Sequence, residues 1–280
     1  MATIPKPVRV SLCIILVLGA FLGACVFSAK VGNVYQTYRL LFELRKRDAL
    51  LVATKRVLGL QKAYGEMQQD LWIALSAMPG KRNGYYVDVG SWDGVAASNT
   101  KLLDDMGWKG VCIDPFPRNM ATRTCQVFRQ PVFSVSGKKV SFRAAAASYL
   151  SGITDTLGNG RTDPDVQKAP LVELVTATLD ETLEKAKAPN RIDFMSIDVE
   201  GAELEVLRGL SFDKYQVEAF TIEHNWEEPK REDIRQLLES KGYTRVRSWG
   251  ADDWYRLHPT YKFKLDWTGT AREGWDPLAL

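Results

Sequence analysis

The sequence is poor in the residues that usually reveal a metal site or a disulfide framework. It has 2 histidines and 4 cysteines among 280 residues, and no two cysteines have the C-x-x-C spacing of a structural zinc site. Cys13 and Cys25 lie in an apolar N-terminal run, whereas Cys112 and Cys125 lie in or beside predicted secondary structure. We therefore predict that the cysteines are unpaired apolar thiols, which agrees with a reducing compartment.

A strong excess of charge of one sign is also absent. The chain carries 37 basic and 34 acidic residues, so its formal net charge is only +3. Proteins that bind nucleic acids through a basic surface carry a much larger excess, and we expect no nucleic-acid partner. No internal repeat or low-complexity tract is visible, and 45% of the residues are hydrophobic. This composition is typical of one globular domain with an appendage.

One long apolar run lies near the N-terminus, at residues 10–29, and it contains no charged residue. About 20 apolar residues span a bilayer as a helix, and the run is longer than the core of a cleaved signal peptide. We therefore expect a retained single-pass membrane anchor. The segment Leu22-Gly23-Ala24-Cys25 leaves a lipoprotein signal, with Cys25 lipidated, as the alternative. A slight excess of basic residues after the run predicts a catalytic domain on the cytosolic side.

Apolar residues continue at roughly helical spacing after the anchor, and residues 34–77 contain no proline. We expect one or two helices there, either as a stalk or packed on the following domain. Pro79 and Gly80 then begin a cluster of residues that break helices. The predicted organisation is a membrane anchor at 1–30, a helical stalk or linker at 31–79, a catalytic domain at 80–258 and a tail at 259–280.

The order of elements after this boundary is typical of a nucleotide-binding unit. Tyr85 begins a predicted buried strand, the loop at residues 90–94 contains two glycines, and a helix and a second strand lead to Asp114. Glycines let the backbone approach a ligand closely, and an acid at the second strand tip can accept both ribose hydroxyls. The loop lacks G-x-G-x-x-G, which disfavours a dinucleotide-dependent oxidoreductase. An adenosyl ligand with a cationic sulfonium would instead be stabilised near Asp88.

A second group of polar residues follows two later predicted strands. Asp198 and Glu200 come after the first of them, and Glu223, His224 and Asn225 end the second. Strand tips of an open α/β sheet face the ligand crevice. Glu223 and Asn225 alternate onto one side of their strand, with His224 opposite. Two residues also have structural alternatives, Glu200 as a helix N-terminal cap and His224 as a hydrogen-bonded core residue.

Together these segments resemble the FkbM family of S-adenosylmethionine-dependent methyltransferases. The resemblance runs in order from about residue 85 to residue 255, and it leaves out the N-terminal region and the tail. One departure is Asp114, where the family more often has glutamate. The matching segments are Asp88-Val89-Gly90 with Asp93-Gly94, residues 107–110 before Asp114-Pro115, Ser151-Gly152-Ile153, residues 193–203, Ile222-Glu223-His224-Asn225, and Asp252-Asp253-Trp254-Tyr255.

The resemblance implies a Rossmann-like α/β fold, with a seven-stranded methyltransferase sheet and helices on both faces. The predicted transmembrane helix and stalk precede this domain. The resemblance also implies transfer of a methyl group from S-adenosylmethionine to a hydroxyl of a glycan, glycolipid or other small acceptor, here near a membrane. A catalytically retired methyltransferase domain, kept as a subunit or scaffold of a membrane complex, is the alternative.

The predicted site residues have distinct roles. His224 is the predicted general base, because an imidazole titrates near neutral pH, and Glu200 and Asp198 are the other predicted catalytic residues. Oxygen ligands from Asp198, Glu223 and Asn225 would suit Mg²⁺ if the transfer needs a metal ion. The predicted cofactor-binding residues are Asp88, Gly90, Asp93, Gly94, Asp114 and Asp198.

Overall fold

The computed structural model describes residues 63–145, 150–158 and 162–258. The predicted anchor with the lipoprotein alternative at Cys25, most of the predicted stalk and the whole predicted tail lie outside these ranges. Within them, no helix combines the length and the apolar character that crossing a membrane requires.

Seven strands form the central sheet of the described domain. Its order is β3-β2-β1-β7-β8-β10-β9, and all neighbours from β3 to β8 are parallel, whereas β10 is antiparallel to both of its neighbours. The mostly parallel seven-stranded sheet predicted from the sequence is therefore confirmed. These strands are β1 (Tyr85–Val89), β2 (Lys109–Ile113), β3 (Gln126–Phe128), β7 (Arg191–Ile197), β8 (Gln216–Glu223), β9 (Tyr243–Trp249) and β10 (Asp252–Leu257).

The chain changes direction across the sheet after β3. The first three strands build outward on one side of β1, and β7 then pairs with β1 on the other side. Ligands of open α/β sheets bind at such a switch point, outside the carboxyl ends of the strands. Gly90 after β1, Asp114 after β2, Asp198 after β7 and His224 after β8 all lie along this edge.

A second, antiparallel sheet and short helices complete the described part. The small sheet has the order β5-β4-β6, and it lies between β3 and β7 in the chain. Its strands are β4 (Lys139–Arg143), β5 (Gly152–Ile153) and β6 (Leu171–Val175). The α-helices are α1 (Gln69–Trp72), continued by a π-helical turn (Ile73–Ala77), α2 (Lys101–Asp105), α3 (Pro164–Lys168), α4 (Leu179–Lys185), α5 (Glu203–Arg208) and α6 (Glu228–Ser240).

Hydrophobic cores lie on both faces of the central sheet, because successive side chains of a strand point to opposite faces. One core packs α4, α5 and α6 against the sheet through residues such as Leu183, Val206 and Leu238. The other packs α1, the π-helical turn and α2 against the opposite face, with Trp72 and Leu103 among its members. Helices therefore lie on both faces.

The last part of the predicted stalk packs on the domain. Trp72 of α1 stacks on Trp254 of β10, with ring centroids 4.8 Å apart, and Ile73 is fully buried. Gln69 contacts the same strand, since its Nε2 donates to Asp252 Oδ2 over 2.7 Å. The sequence left open whether this segment forms a stalk or packs on the following domain. Residues 69–77 pack on the domain.

The prediction of four unpaired thiols was wrong for two of the cysteines. Cys112 of β2 and Cys125 form a disulfide, with Cα atoms 5.8 Å apart. Cys125 directly precedes β3, the parallel neighbour of β2, so the two side chains lie side by side. A search for cysteines close together in the sequence misses this bond, because its two cysteines are 13 residues apart and meet only when the strands pair.

Candidate active site

Two adjoining cavities lie along the carboxyl edge of the parallel strands. The larger cavity, of about 200 Å³, extends from the ends of β1 and β2 to the small sheet. The smaller cavity, of about 80 Å³, lies over β1, β7 and β8 and reaches the start of β10. Gly90, Trp92, Asp198 and Glu200 line both cavities. One elongated ligand could therefore occupy parts of both.

Asp114 follows β2 at the wall of the larger cavity. Its carboxylate accepts the backbone N–H groups of Trp92 over 2.9 Å and of Phe116 over 2.7 Å, which fixes its orientation. Burial raises the pKa of Asp114, and these two hydrogen bonds oppose the shift. Each carboxylate oxygen has a further lone pair, so Asp114 can also accept hydroxyl groups of a ligand.

Gly90 joins the loop after β1 to the tip of β7. Its φ is +87°, and a Cβ atom at this position would lie 1.6 Å from the carbonyl oxygen of Asp198. Only glycine fits such a close approach. The backbone N–H of Asp198 also donates to the carbonyl of Val89 over 2.9 Å. These contacts hold the two predicted halves of the site together.

Two other residues of the same loop were predicted to bind the cofactor. Asp93 lines the smaller cavity, and its carboxylate accepts the backbone N–H groups of Val95 and Ala96 at 2.9 Å each. Asp93 therefore also stabilises the turn. Gly94 does not appear among the residues that line either cavity. Its carbonyl accepts a hydrogen bond of 3.1 Å from Arg123, which gives Gly94 a part in the packing of the loop.

Asp88 belongs to a buried polar network around Arg123. Thr100 Oγ1 donates to Asp88 Oδ2 over 2.5 Å, and a guanidinium nitrogen of Arg123 lies 3.8 Å from the same oxygen. Arg123 also pairs with Asp104 and donates to the Tyr86 hydroxyl over 3.1 Å. Burial raises the pKa of Asp88, whereas the guanidinium and the threonine oppose the shift. No pattern in the sequence indicated a role for Arg123, which lies in an irregular segment before β3.

Asp198, Glu200 and Glu223 meet at the tips of β7 and β8. One carboxylate oxygen of each residue lies within 4.8 Å of those of the other two. Burial raises the pKa of all three well above the ordinary range, and repulsion from neighbouring carboxylates adds to the shift, although a hydrogen bond with Glu223 opposes it at Asp198. Lys230 opposes the shift of Glu200, but its ammonium group pairs with Glu203 over 2.9 Å.

Glu200 is held in a backbone conformation that residues other than glycine rarely adopt. The φ of Glu200 is +58°. The next residue, Gly201, has a φ of +117°, and a Cβ atom there would lie 1.9 Å from the carbonyl oxygen of Thr156. Glu203 closes this turn, since its Oε1 accepts the N–H groups of Val199 and Gly201 over 3.2 and 2.8 Å. The N-cap of α5, Ala202, has no side-chain hydrogen bond, so the capping role considered for Glu200 is not seen, and Glu200 instead lines both cavities.

Asn225 and His224 lie on different sides of the end of β8. Asn225 Nδ2 donates to Glu223 over 2.7 Å and to Glu200 over 3.5 Å. His224 is 1% exposed and does not appear among the residues lining either cavity, and its Nδ1 accepts the N–H of Trp226 over 3.0 Å. Burial lowers the pKa of His224. The structure thus brings together Asn225 and the three carboxylates, and it separates His224 from them.

Met67, Gln69 and Asp252 are among the residues that line the smaller cavity although the sequence did not assign them to the site. Burial raises the pKa of Asp252 to about 6, and the hydrogen bond from Gln69 opposes that shift. Asp252 had a signal in the sequence, because it begins the last matching segment of the resemblance. Met67 and Gln69 had none, since they precede the predicted domain boundary.

Comparisons with known proteins identify a methyltransferase domain. The methyltransferase FkbM domain matches residues 88–245, more than half of the chain. Methyltransferase sdnD of Sordaria araneosa is 40% identical over 70 residues, which are 24% of this chain and 27% of that protein. The match thus spans about a quarter of that relative's length.

A solved structure, the precorrin-6y C5,15-methyltransferase of Geobacter metallireducens, aligns with 70% of this chain and 89% of its own. Its sequence identity is 10% and the TM-score is 0.34, so this likeness carries no argument about the fold. The family match covers the loop after β1, the three clustered carboxylates and the end of β8. The resemblance seen in the sequence is confirmed, and the chain belongs to the FkbM family of methyltransferases.

Proposed function

We propose that the protein transfers a methyl group from S-adenosylmethionine to a hydroxyl group of a glycan, glycolipid or other small acceptor near a membrane. Membership of the family supports the methyl transfer itself. The observation that supports S-adenosylmethionine as the methyl donor is the pair of adjoining cavities. One cavity has Asp114 at its wall, and the other is lined by carboxylates. An adenosyl cofactor with a ribose at one end and cationic groups at the other suits this arrangement.

Each part of the cofactor has a suitable partner in these cavities. Asp114 would accept the ribose hydroxyls, and Phe116, which is 41% exposed, would offer an apolar surface to the adenine ring. Asp198 lies where the cavities meet, and there it would stabilise the sulfonium. When bound, S-adenosylmethionine supplies the electrophilic methyl group.

Two buried oxygen atoms support a ligand in the smaller cavity. Ser91 Oγ and Asn99 Oδ1 have no hydrogen-bond partner within the described residues, although both side chains line this cavity. The two residues are only 4% and 7% exposed. Buried polar atoms normally have partners, so a ligand with hydrogen-bond donors would satisfy both.

The geometry favours a carboxylate over His224 as the group that takes the proton of the acceptor. In the transfer, the acceptor oxygen forms a bond to the methyl carbon, the carbon–sulfur bond breaks, and the hydroxyl proton leaves. A base acts only within hydrogen-bond reach, and a raised pKa makes a carboxylate a stronger base. Glu200 lines both cavities and therefore lies between the predicted cofactor and acceptor positions. The positive cofactor would favour its ionised form.

The same carboxylates would suit a divalent cation. Asp198, Glu200 and Glu223 offer oxygen ligands, which Mg²⁺ prefers, and Asn225 completes the predicted ligand set if its amide oxygen turns toward the ion. Such an ion would assist ionisation of an acceptor hydroxyl.

Calorimetric titration of the protein with MgCl₂ tests for this cation, and we expect binding that is lost in Glu223→Gln. Full turnover after treatment with a chelator would contradict it.

The membrane part of the proposal rests on the apolar residues 10–29, which lie outside the described ranges. A helix of this length should keep the full chain in the membrane pellet during alkaline carbonate washing. Deletion of residues 1–30 should release it. Release of the full chain by the wash would contradict the anchor, and a lipidated Cys25 at the mature N-terminus would support the lipoprotein alternative.

Equilibrium binding of S-adenosylmethionine to the full chain is the central test, with NAD⁺ as the comparison. Asp114→Ala should weaken binding of S-adenosylmethionine about ten- to hundredfold, because a charged hydrogen-bond partner of the ribose is lost. Asp213→Ala is a suitable control, since Asp213 is exposed in the turn before β8 and lines neither cavity. Unchanged affinity in a folded Asp114→Ala protein would remove Asp114 from ribose binding.

A second step distinguishes an active enzyme from a retired domain. Membrane lipids and glycans are incubated with the protein and S-adenosylmethionine labelled in the methyl group. Label in a hydroxyl-bearing product supports the proposal. Cofactor binding without any labelled product would favour the alternative, a methyltransferase-fold subunit or scaffold.

A further inference from the structure

The smaller cavity has a wall from outside the family-matched residues. Glu66, Met67 and Gln69 line it, and all three precede the match, which begins at residue 88. Residues 65–68, which we call the N-terminal turn, are closed by a hydrogen bond of 3.0 Å from Gln68 N to the carbonyl of Gly65. The N-terminal turn adds to the site a feature that membership of the family does not specify.

Hydrogen bonds at both ends hold the N-terminal turn in place. On one side, the Tyr64 hydroxyl donates to Asp105 of α2 over 2.9 Å. On the other side, the Gln69 side chain accepts the N–H of Met67 over 3.0 Å and donates to Asp252 of β10 over 2.7 Å. The turn is therefore connected to two elements of the domain, one on each side of the segment that lines the cavity.

The lining of the smaller cavity is acidic. No lysine, arginine or histidine occurs among its lining residues. Within the described part of the chain, Asp88 alone among the acidic lining residues forms an ion pair, with Arg123. The acidic lining residues are Glu66, Asp88, Asp93, Asp198, Glu200, Glu223 and Asp252.

We propose that the N-terminal turn and this acidic lining select the acceptor, which enters past Glu66 and Met67 and is uncharged or positively charged near its reacting atom. The inference rests on the proposed function, because it assigns the smaller cavity to the acceptor side of a methyl-transfer site. A phosphate or carboxylate placed there would lose hydration and meet unpaired carboxylates with no cation to pair with. Hydroxyl and ammonium groups can instead donate hydrogen bonds to them. Among sugars, the favoured class is neutral and amino sugars.

Four compounds with one pyranose framework test the charge preference. They are methyl glucoside, which is neutral, glucosamine, which is cationic, and the anionic glucuronate and glucose 6-phosphate. Their binding to the full chain, saturated with S-adenosylhomocysteine, is measured by calorimetry and saturation-transfer NMR. The dissociation constants of glucosamine and methyl glucoside should be lower than those of the anions by about tenfold or more. Equal affinities for all four sugars, or binding of none, would overturn the inference.

Two variants test the part played by the N-terminal turn. Glu66→Gln should reduce the advantage of glucosamine over glucuronate by about two- to threefold, the effect of one exposed charge. Met67→Ala should change the affinity for all four sugars by a common factor, because it alters shape and not charge. Glu173→Gln makes the same charge change at an exposed residue of β6 that pairs with Lys139, and it should change nothing. Wild-type affinities in both turn variants would overturn the role of the turn.

Cofactor binding separates failure of this inference from failure of the proposed function. The dissociation constant of S-adenosylmethionine is measured with the wild type and with each variant. A wild-type protein that does not bind S-adenosylmethionine contradicts the proposed function. A protein that binds it but shows no preference among the four sugars contradicts only the selection of the acceptor.

Discussion

Two buried groups of carboxylates lie close together in this domain, and they differ in what balances their charge. Asp88 and Asp104 surround the fully buried guanidinium of Arg123. Asp198, Glu200 and Glu223 have no arginine or lysine paired with them within the described residues, and burial raises their pKa values strongly. The first group is complete in the protein alone, whereas the second group acquires a balancing charge only from a ligand.

This difference separates structural acids from functional ones better than burial does. Both groups are largely removed from water, and each has a member in or directly after a strand of the parallel sheet. Arg123 opposes the rise that burial causes in the pKa of Asp88, and it fixes the loop after β1 through the carbonyl of Gly94. In the second group no such cation opposes the pKa rise of Glu223, so a cationic ligand would favour its ionised form. Buried carboxylates without a paired cation at the carboxyl edge of a sheet are therefore candidates for binding a cationic ligand.

The largest expected effect comes from removing the internal cation. Arg123→Ala leaves two buried aspartates without a partner, which should lower the free energy of unfolding by about 3–5 kcal/mol. Glu223→Gln, in the group without a cation, should change the free energy of unfolding by less than about 1 kcal/mol, because the amide removes repulsion between Glu223 and its neighbouring carboxylates. Urea unfolding followed by circular dichroism measures both values.

An exposed arginine provides the control for this comparison. Arg235 pairs with Glu232 and Glu239 on the surface of α6, and Arg235→Ala should cost no more than about 1 kcal/mol. Equal losses in Arg123→Ala and Arg235→Ala would show that the buried network does not stabilise the fold as described.

A second expected effect concerns turnover. Glu200→Gln removes the proposed base while keeping its size, and it should lower turnover by about 10²–10⁴-fold with cofactor binding retained. His224→Ala should reduce turnover less, because His224 contacts the N–H of Trp226 and does not line the cavities. Single-turnover rates with labelled cofactor and an identified acceptor measure both. The reverse order of effects would restore His224 as the base, as the sequence predicted.

The smallest expected effect is a dependence of stability on pH. Burial raises the pKa of Asp252 to about 6 and those of the three clustered carboxylates further, so the folded protein holds protons that the unfolded chain releases above about pH 4. The free energy of unfolding should therefore fall as pH rises from 5 through 8, by about 1–3 kcal/mol.

Variants and cofactor sharpen this pH measurement. Glu223→Gln should flatten the decline because an amide does not titrate, and bound S-adenosylmethionine should flatten it because a cation favours the ionised carboxylates. Urea unfolding at a series of pH values, with and without cofactor, measures the slopes. An equally steep decline in the wild type and in Glu223→Gln would mean that Glu223 is ionised in the folded protein.

The sequence predicted those features that follow from the geometry of parallel strands. Strands that run in one direction end at one edge, so residues placed after separate strands meet in space. Asp114, Asp198 and Glu223 were predicted on this basis, and the structure places all three at the edge of the sheet. The alternation of side chains along β8 also indicated that Glu223 and His224 point to opposite sides.

Other features depend on contacts between segments that have no pattern in common. Arg123 reaches Asp88 from an irregular loop, and Gln69 reaches Asp252 from the far end of the chain. Neither contact has a spacing that periodicity could detect. The role of Glu203 was missed for a different reason, since an acid inside a predicted helix N-terminus is indistinguishable in sequence from the cavity-lining Glu200.

The disulfide between Cys112 and Cys125 has a thermodynamic consequence for the larger cavity. It closes a loop that contains several residues of the cavity wall, among them Asp114, Pro115, Phe116 and Arg118. Closing a loop of about 15 residues removes chain entropy from the unfolded state equivalent to about 3 kcal/mol. The wall against which the adenosyl group would bind is thus preorganised by a covalent bond, and less ordering remains to oppose ligand binding.

The same bond bears on the compartment expected from the cysteines. Disulfides persist in secretory and extracellular spaces and are rare in the cytosol. Because Cys112 and Cys125 are bonded to each other, the expectation of a reducing compartment, which depended on unpaired thiols, no longer holds for this domain.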